Sequence, residues 1–458
     1  MRKEFVRQLI LCLLLACGLT ARAAEGNSIA WHRAADKVDA DVQGEALLPL
    51  LGQIARDTGW QVYVEPGTSK TVSAKFKDLP SQDALRMLLG NLNFMLSPQT
   101  NGSSQLYVFS TVVQKATQLV PATKVIARHV PNQLLIKLKS GANIDAIAKL
   151  VGAKVIGRND KMGVYLLQFA DAASTDAALG QLQADSDVQA VDYNYVYDPP
   201  PAAQPLAASS VPQAPVSLTL QPQTANDPCD PIVGLIDTPI QSLGSSLDAF
   251  MLKPISVVST TPVTPSATTL THATGMAQAM MRGMGVAGGG STSARILSVD
   301  VYGSNPTTTS WYVAEGLQAA VNNGATILNM SLGGSGDSTV LDSVIQQAIA
   351  DGIPVFAAAG NNGVATPEYP AADSGVNAVT ALQSANQLAS YANYGSFVDM
   401  ALPGASVVYL GNQPFLMQGT SVSTAYATGL ATGTKSSDCG GWPSIVQGLA
   451  KSYPVPGK

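Results

Sequence analysis

Five short and almost wholly apolar segments, at residues 232–236, 295–299, 327–330, 355–358 and 378–381, set the strongest limit on how this chain can fold. Runs of four or five residues without polar alternation suit strands buried on both faces, as in a parallel sheet. Stretches with helical spacing stand between them, such as 311–322 and 340–350. Strand and helix therefore alternate over residues 229–458, which predicts an α/β domain with a parallel sheet flanked by helices. Ligands of such sheets bind beyond the carboxyl ends of the strands, so functional side chains are sought there.

Two smaller α+β units precede this domain. Residues 38–112 read as strand, helix, two strands, helix, two strands. Ala46, Leu47, Leu50, Leu51, Ile54 and Ala55 recur at helical spacing up to Gly59, and Ser81 is placed to cap a second helix carrying Ala84, Leu85, Leu88 and Leu89. Residues 131–197 form the second unit, with strands at 133–138, 164–169 and 188–196 and helices beginning at 144 and 175. Residues 198–228 are rich in Pro, Ala, Ser and Gln with no regular apolar period. They read as an exposed linker, where proteolytic nicking is easiest.

A chain of 458 residues has room for such a three-part arrangement. Its charged share is 12% and its net charge −5, which leaves no basis for nucleic-acid binding or a polybasic membrane patch. Arg2, Lys3 and Arg7, an apolar run at 9–19 and Ala21-Arg22-Ala23 form a signal peptide over residues 1–23. The run is too short for a permanent membrane span. An alternative stays open, in which Leu14-Leu15-Ala16-Cys17 is a lipoprotein-like box and Cys17 is lipidated. Either reading exports the chain. Two cysteines then remain, Cys229 and Cys439. In an oxidising compartment they are expected to pair, the alternative being two unpaired thiols. They are too few for a zinc site, and no clustered acidic loop supports a calcium site. No cofactor is expected.

Hydroxyl-based acyl transfer needs a nucleophile, a base and an acid that orients the base. The chain has three histidines, His32, His129 and His272, and His272 alone lies in the large domain. If that domain uses a serine mechanism, His272 is the base. Four segments decide the matter: "IVGLIDTPI" with Asp237, "THATGMA" with His272, "PVFAAAGNNG" with Asn361 and "GTSVSTAYATG" with Ser421. In this order they resemble the subtilisin-like serine proteases. The resemblance implies a catalytic triad of Asp237, His272 and Ser421, with Asn361 as oxyanion donor. It also implies that Ser331, Leu332, Gly333 and Gly334 in "NMSLGG", and Ala358, Ala359 and Gly360, line the primary substrate pocket. "SYANYGSFVDMALPG" resembles the stretch ahead of the nucleophile. Pro239, Ala273, Gly275 and the Ser423-Thr424-Ala425 run depart from the family pattern and point to a divergent member of narrow or weak activity.

The phrases "VPNQLLIKLKSGAN", "GVYLLQF" and "DVQAVDYNYVY" resemble the inhibitory propeptide of the same family. They imply a zymogen whose own propeptide inhibits it, matured by cleavage within 198–227. "DTGWQVYVEPG", "VSAKFKDLPSQDALRMLLGNLNF" and "LYVFS" resemble the short N-terminal domain of secretins and TonB-dependent receptors. That implies a docking module of a Gram-negative envelope, and a periplasmic, outer-membrane-associated or secreted protein. The expected partner is a peptide or protein substrate. Two rival readings stand beside the peptidase: an inactive subtilase fold that binds peptides without cutting, and an envelope adaptor.

Overall fold

The computed structural model describes residues 28–32, 36–97, 104–120, 127–198, 201–207, 220–223, 229–243, 246–260 and 263–457. The predicted signal peptide at 1–23, with Cys17, lies outside the described residues. So do 199–200, 208–219 and 224–228 of the segment read as a linker. The chain divides into two compact units, the first made of Met1–Trp31, Asp36–Ala55 and Trp60–Ala122, the second of Thr123–Lys458 with the short segments His32–Ala35 and Arg56–Gly59.

The first unit holds strands β1 (Ser28–His32), β2 (Lys37–Ala46), β3 (Gln61–Val64), β4 (Thr71–Pro80), β5 (Asn93–Ser97), β6 (Gln105–Phe109) and β7 (Gln118–Val120), with helices α1 (Leu47–Thr58) and α2 (Ser81–Leu89). One sheet has the order β1-β2-β4 and the other β5-β6-β3-β7. The apolar face of α1, Leu47, Leu50, Leu51 and Ile54, packs with Leu85, Leu88 and Leu89 of α2 in a single core. Each such side chain contributes about 1.5–3 kcal/mol on burial. Ser81 does not cap α2. Strand β4 runs to Pro80, which is itself the N-cap, and Ser81 becomes the first helical residue with no side-chain cap bond. With no loop between strand and helix, no non-helical position is left for Ser81 to occupy.

The second unit opens with β8 (His129–Leu138), α3 (Ile144–Val151), β9 (Lys154–Asn159), β10 (Val164–Gln168), α4 (Ala172–Gln183) and β11 (Val188–Tyr197). Leu134, Ile136 and Leu138 of β8 face the core under α3 and α4. Leu135 faces the other way, with Val164 and Leu166, into the core of the large domain. Both faces are covered there, which is why Leu134, Leu135 and Ile136 stand as consecutive apolar residues in β8. Strand β9 escaped the sequence reading because it is an edge strand whose residues are exposed or half-buried in alternation.

The large domain carries β14 (Ile232–Asp237), β15 (Ile255–Ser256), β16 (Ser291–Thr292), β17 (Arg295–Asp300), β18 (Thr308–Thr309), β19 (Ile327–Met330), β20 (Val355–Ala358), β21 (Asn377–Ser384), β22 (Gln387–Leu388) and β23 (Met400–Pro403). Its main sheet has the order β15-β17-β14-β19-β20-β21-β22, with β23 also paired to β21. All neighbours run parallel except β22. Helices α5 (His272–Ala287), α6 (Ser310–Asn322), α7 (Thr339–Ala350), α8 (Thr420–Asp438) and α9 (Trp442–Ser452) complete it. In β20, Val355 and Ala357 enter the core shared with α6 and α7, while Phe356 enters the core shared with α5 and α8. The sheet is thus helix-covered on both sides, as its apolar strands predict.

Parts of the segment read as an exposed linker are tied down. Strand β12 (Gln204–Pro205) pairs with β25 (Gln413–Gln418), which forms a hairpin with β24 (Ala405–Leu410). Strand β13 (Gln221–Pro222) pairs with β16, and the neighbouring Leu220 is buried in the α5–α8 core. Cys229 and Cys439 form a disulfide with their Cα atoms 5.3 Å apart, closing the domain ahead of β14 and behind α8.

Candidate active site

The carboxyl ends of β14, β19 and β20 converge with the amino ends of α5 and α8. Asp237 is the last residue of β14 and His272 the first of α5. His272 Nδ1 lies 2.9 Å from each carboxylate oxygen of Asp237, and both side chains are buried. Since a carboxylate only accepts, Nδ1 carries the proton and Nε2 is the basic nitrogen. His272 Nε2 is buried and makes no hydrogen bond among the described residues.

The loop after β14 holds the start of α5 in place. Thr238 Oγ1 accepts from Ala273 N at 3.0 Å and supplies the cap that Thr271 does not. Gln241 Oε1 accepts from Thr271 N at 2.9 Å, and its Nε2 donates to the carbonyls of Ser266 and Thr269. Asp237 and Thr238 thus grip one helix turn by its ring and by its backbone. Pro239 follows them without disturbing either bond.

Ser421 is the second residue of α8, so its N–H has no intrahelical acceptor. Its hydroxyl donates to Ser331 O at 3.1 Å rather than to His272. A buried relay supports that contact. Thr428 Oγ1 donates to Asn329 Oδ1 at 2.9 Å, Asn329 Nδ2 donates to Ser331 Oγ at 3.0 Å, and Ser331 Oγ donates to Ser421 O at 3.1 Å. The strand end carrying Ser331 is thereby locked to the helix carrying Ser421.

Asn361 stands three residues beyond β20. Its Oδ1 accepts from Thr420 N at 2.8 Å and from Thr420 Oγ1 at 3.1 Å. Only an oxygen accepts from a backbone N–H, so the orientation of the amide is settled and Nδ2 is the donor left to offer. The loop bearing it is organised by Asn393, which is fully buried. Asn393 Oδ1 accepts from Asn362 N at 2.9 Å and Val364 N at 3.2 Å, and its own N–H donates to Gly360 O at 3.0 Å. Thr238, Gln241 and Asn393 went unassigned in the sequence. Their only signals were a Thr after the strand-end Asp and an Asn inside "SYANYG".

The two expected pocket walls flank this centre. Ser331, Leu332, Gly333 and Gly334 follow β19, Ala358 ends β20, and Ala359 and Gly360 follow it. Gly360 has φ +107°, and a Cβ there would stand 2.3 Å from Asn393 Nδ2. A side chain there would be strained by that φ and would have to displace Asn393 or Glu368. The last strand of the preceding small unit, β11, pairs with β18 through Tyr197 and Thr308, and Tyr197 lies against Gly334. On the same strand, Asp192 Oδ2 accepts from Val340 N at 2.8 Å and Asn194 Oδ1 from Trp311 N at 3.1 Å, at the amino ends of α7 and α6. Among the described residues, no group of three or more His, Cys, Asp or Glu is arranged to hold a metal ion.

Comparison with known proteins agrees with this geometry. Residues 230–452 match the Subtilase family (peptidase S8), and residues 116–194 match the Fervidolysin N-terminal prodomain family. A "Thermostable alkaline protease" of Halalkalibacterium halodurans is 37% identical over 168 residues, which are 36% of this chain and 46% of that protein. "Subtilisin Savinase" of Lederbergia lenta is 34% identical over 163 residues, 35% of this chain and 60% of that protein. The chain thus spans about half the length of these relatives. Fervidolysin from Fervidobacterium pennivorans, described as a keratinolytic enzyme related to subtilisin, superposes with a TM-score of 0.51 at 17% identity, covering 67% of this chain and 55% of that one. The shared fold is the subtilisin-like α/β fold.

Proposed function

Residues 230–452 being a subtilase domain and residues 116–194 a fervidolysin-like prodomain, we propose that the chain is an exported serine endopeptidase made as an inhibited zymogen. The observation that carries this reading is the buried Asp237–His272 pair beside Ser421 at the amino end of α8. Ser421 attacks a peptide carbonyl as His272 Nε2 takes its proton, and His272 then protonates the leaving amine. Asp237 holds the tautomer and offsets the imidazolium charge. The N–H of Ser421 and Nδ2 of Asn361 receive the negative charge that develops on the carbonyl oxygen. For this, the Ser421 hydroxyl turns from Ser331 O to His272 Nε2, which has no other partner; catalytic hydrogen bonds often tighten only around substrate.

The prodomain acts as an intramolecular inhibitor. Support comes from β11, which runs along β18 and sets Tyr197 against the pocket wall at Gly334. Substrates are peptides or proteins, and maturation is a cut within 198–227. Export agrees with the disulfide, which persists in oxidising compartments. Residues 38–112 serve as an envelope docking module of the secretin or TonB-receptor type, consistent with their βαββαββ order.

A second reading, an inactive peptide-binding subtilase, draws on the Ser421 hydroxyl being bonded to Ser331 O. A fluorophosphonate probe separates the two, because only an activated serine is labelled. We expect wild type to be labelled at Ser421, and Ser421→Ala and His272→Ala to be silent. An unlabelled wild type that still binds peptides would replace the peptidase by the binding protein.

A further inference from the structure

The space between the two pocket walls has a third side that no motif announced. Gly334 and Tyr369 exchange both backbone hydrogen bonds, Gly334 N to Tyr369 O at 2.9 Å and Tyr369 N to Gly334 O at 2.7 Å. This bridge fastens the segment before Pro370 to the wall, and the residue ahead of Tyr369 is Glu368. Glu368 Oε2 lies 2.6 Å from where a Cβ on Gly360 would stand and 3.6 Å from where one on Gly333 would stand. The carboxylate therefore sits between the walls, in room that a side chain at Gly360 would take, while at Gly333 it stands at ordinary contact distance from where a Cβ would be.

Its bonding is lopsided. Oε1 accepts from Asn362 Nδ2 at 2.5 Å and from Asn393 Nδ2 at 3.2 Å, while no hydrogen bond falls on Oε2. The charged neighbour that bears on it is Asp198, of the same sign. Burial raises the carboxyl above its ordinary range, the two amide bonds opposing that shift. A carboxylate held rigid by two amides, with one oxygen unspent and no cation paired to it among the described residues, is matched to a positive group arriving from outside.

We propose that Glu368 is the specificity-determining residue of the primary pocket and selects lysine or arginine on the amino-terminal side of the cleaved bond. Asn362 and Asn393 are positioning residues that leave Oε2 free for the incoming cation. The assignment rests on the peptidase reading above and deepens it by naming the substrate class.

The test uses full-length protein and fluorogenic peptides that differ only at the residue before the cut: Lys, Arg, Leu, Phe and Glu. Active sites are counted by fluorophosphonate titration of the same samples. Wild type is expected to show kcat/KM at least 10-fold higher for Lys and Arg than for Leu. Glu368→Gln should shrink that ratio by about 10- to 100-fold, the loss falling mainly on KM for the basic peptides. Equal or better cleavage of Leu and Phe by labelled wild type would overturn the proposal and leave the peptidase reading intact. A Lys-to-Leu ratio unmoved in Glu368→Gln would do the same. If the protein takes no label, fluorescence anisotropy reads the pocket without catalysis. Tighter binding of the Lys peptide than the Leu peptide by wild type then upholds the assignment, and equal binding overturns it. The wild-type profile decides the question even if the variant fails to fold.

Discussion

At the scale of single residues, Asn361, the proposed oxyanion donor, shows how one side chain is aimed by another. Thr420 spends its backbone N–H and its hydroxyl on Asn361 Oδ1, and Asn361 is left with Nδ2 as its outward donor. Asn361→Ala is expected to lower kcat by about 10²–10³-fold with KM little changed, since the donor is needed chiefly in the transition state. Steady-state rates normalised to fluorophosphonate-reactive sites measure this, and a loss falling on KM alone would remove Asn361 from the oxyanion site. Asp237, His272, Asn361 and Ser421 were legible because each lies in a short contiguous motif. Glu368, Thr238 and Asn393 were not. Each works by reaching a loop distant in sequence, and neither its type nor its spacing singles it out.

At the scale of elements, the site depends on how closely α5 and α8 cross. A Cβ on Gly429 would stand 2.1 Å from Met280 O, and one on Gly283 would stand 2.5 Å from Tyr426 O. Backbone meets backbone there, so a methyl group has no flexible side chain to displace. Gly429→Ala is expected to destabilise the protein by about 1–3 kcal/mol or more through overpacking. Because α5 carries His272 and α8 carries Ser421, fluorophosphonate labelling should slow as well. Thermal denaturation alongside labelling kinetics would check this, and an unshifted midpoint would show that the helices part at no cost. The apolar strands of the main sheet were readable as strands from their composition. The polar residues of β11 were less transparent: Asp192 and Asn194 sit in a strand because they cap α7 and α6. Each such cap is worth about 0.5–2 kcal/mol.

At the scale of the whole molecule, the Cys229–Cys439 bridge joins residues 210 positions apart. The chain-entropy model sets its stabilisation at about 5 kcal/mol, less whatever structure the reduced unfolded chain keeps. Cys229→Ser with Cys439→Ser is therefore expected to lower the midpoint of thermal unfolding by several degrees, and reduction of wild type to reproduce the shift. Equal midpoints for oxidised and reduced protein would show the bridge to be idle. The sequence alone determined the parallel α/β core and the order of the small units, because burial on two faces and helical period are written locally along the chain. It also marked the residues that meet at the strand ends. Which atoms those residues touch was decided only by the tertiary structure. The Ser421 hydroxyl rests on Ser331 O, parts of the presumed linker pair with β25 and β16, and a carboxylate from Glu368 stands between two glycine walls. Hydrogen bonds and close approaches depend on distances of a few ångströms between segments far apart in the chain, and no local pattern records them.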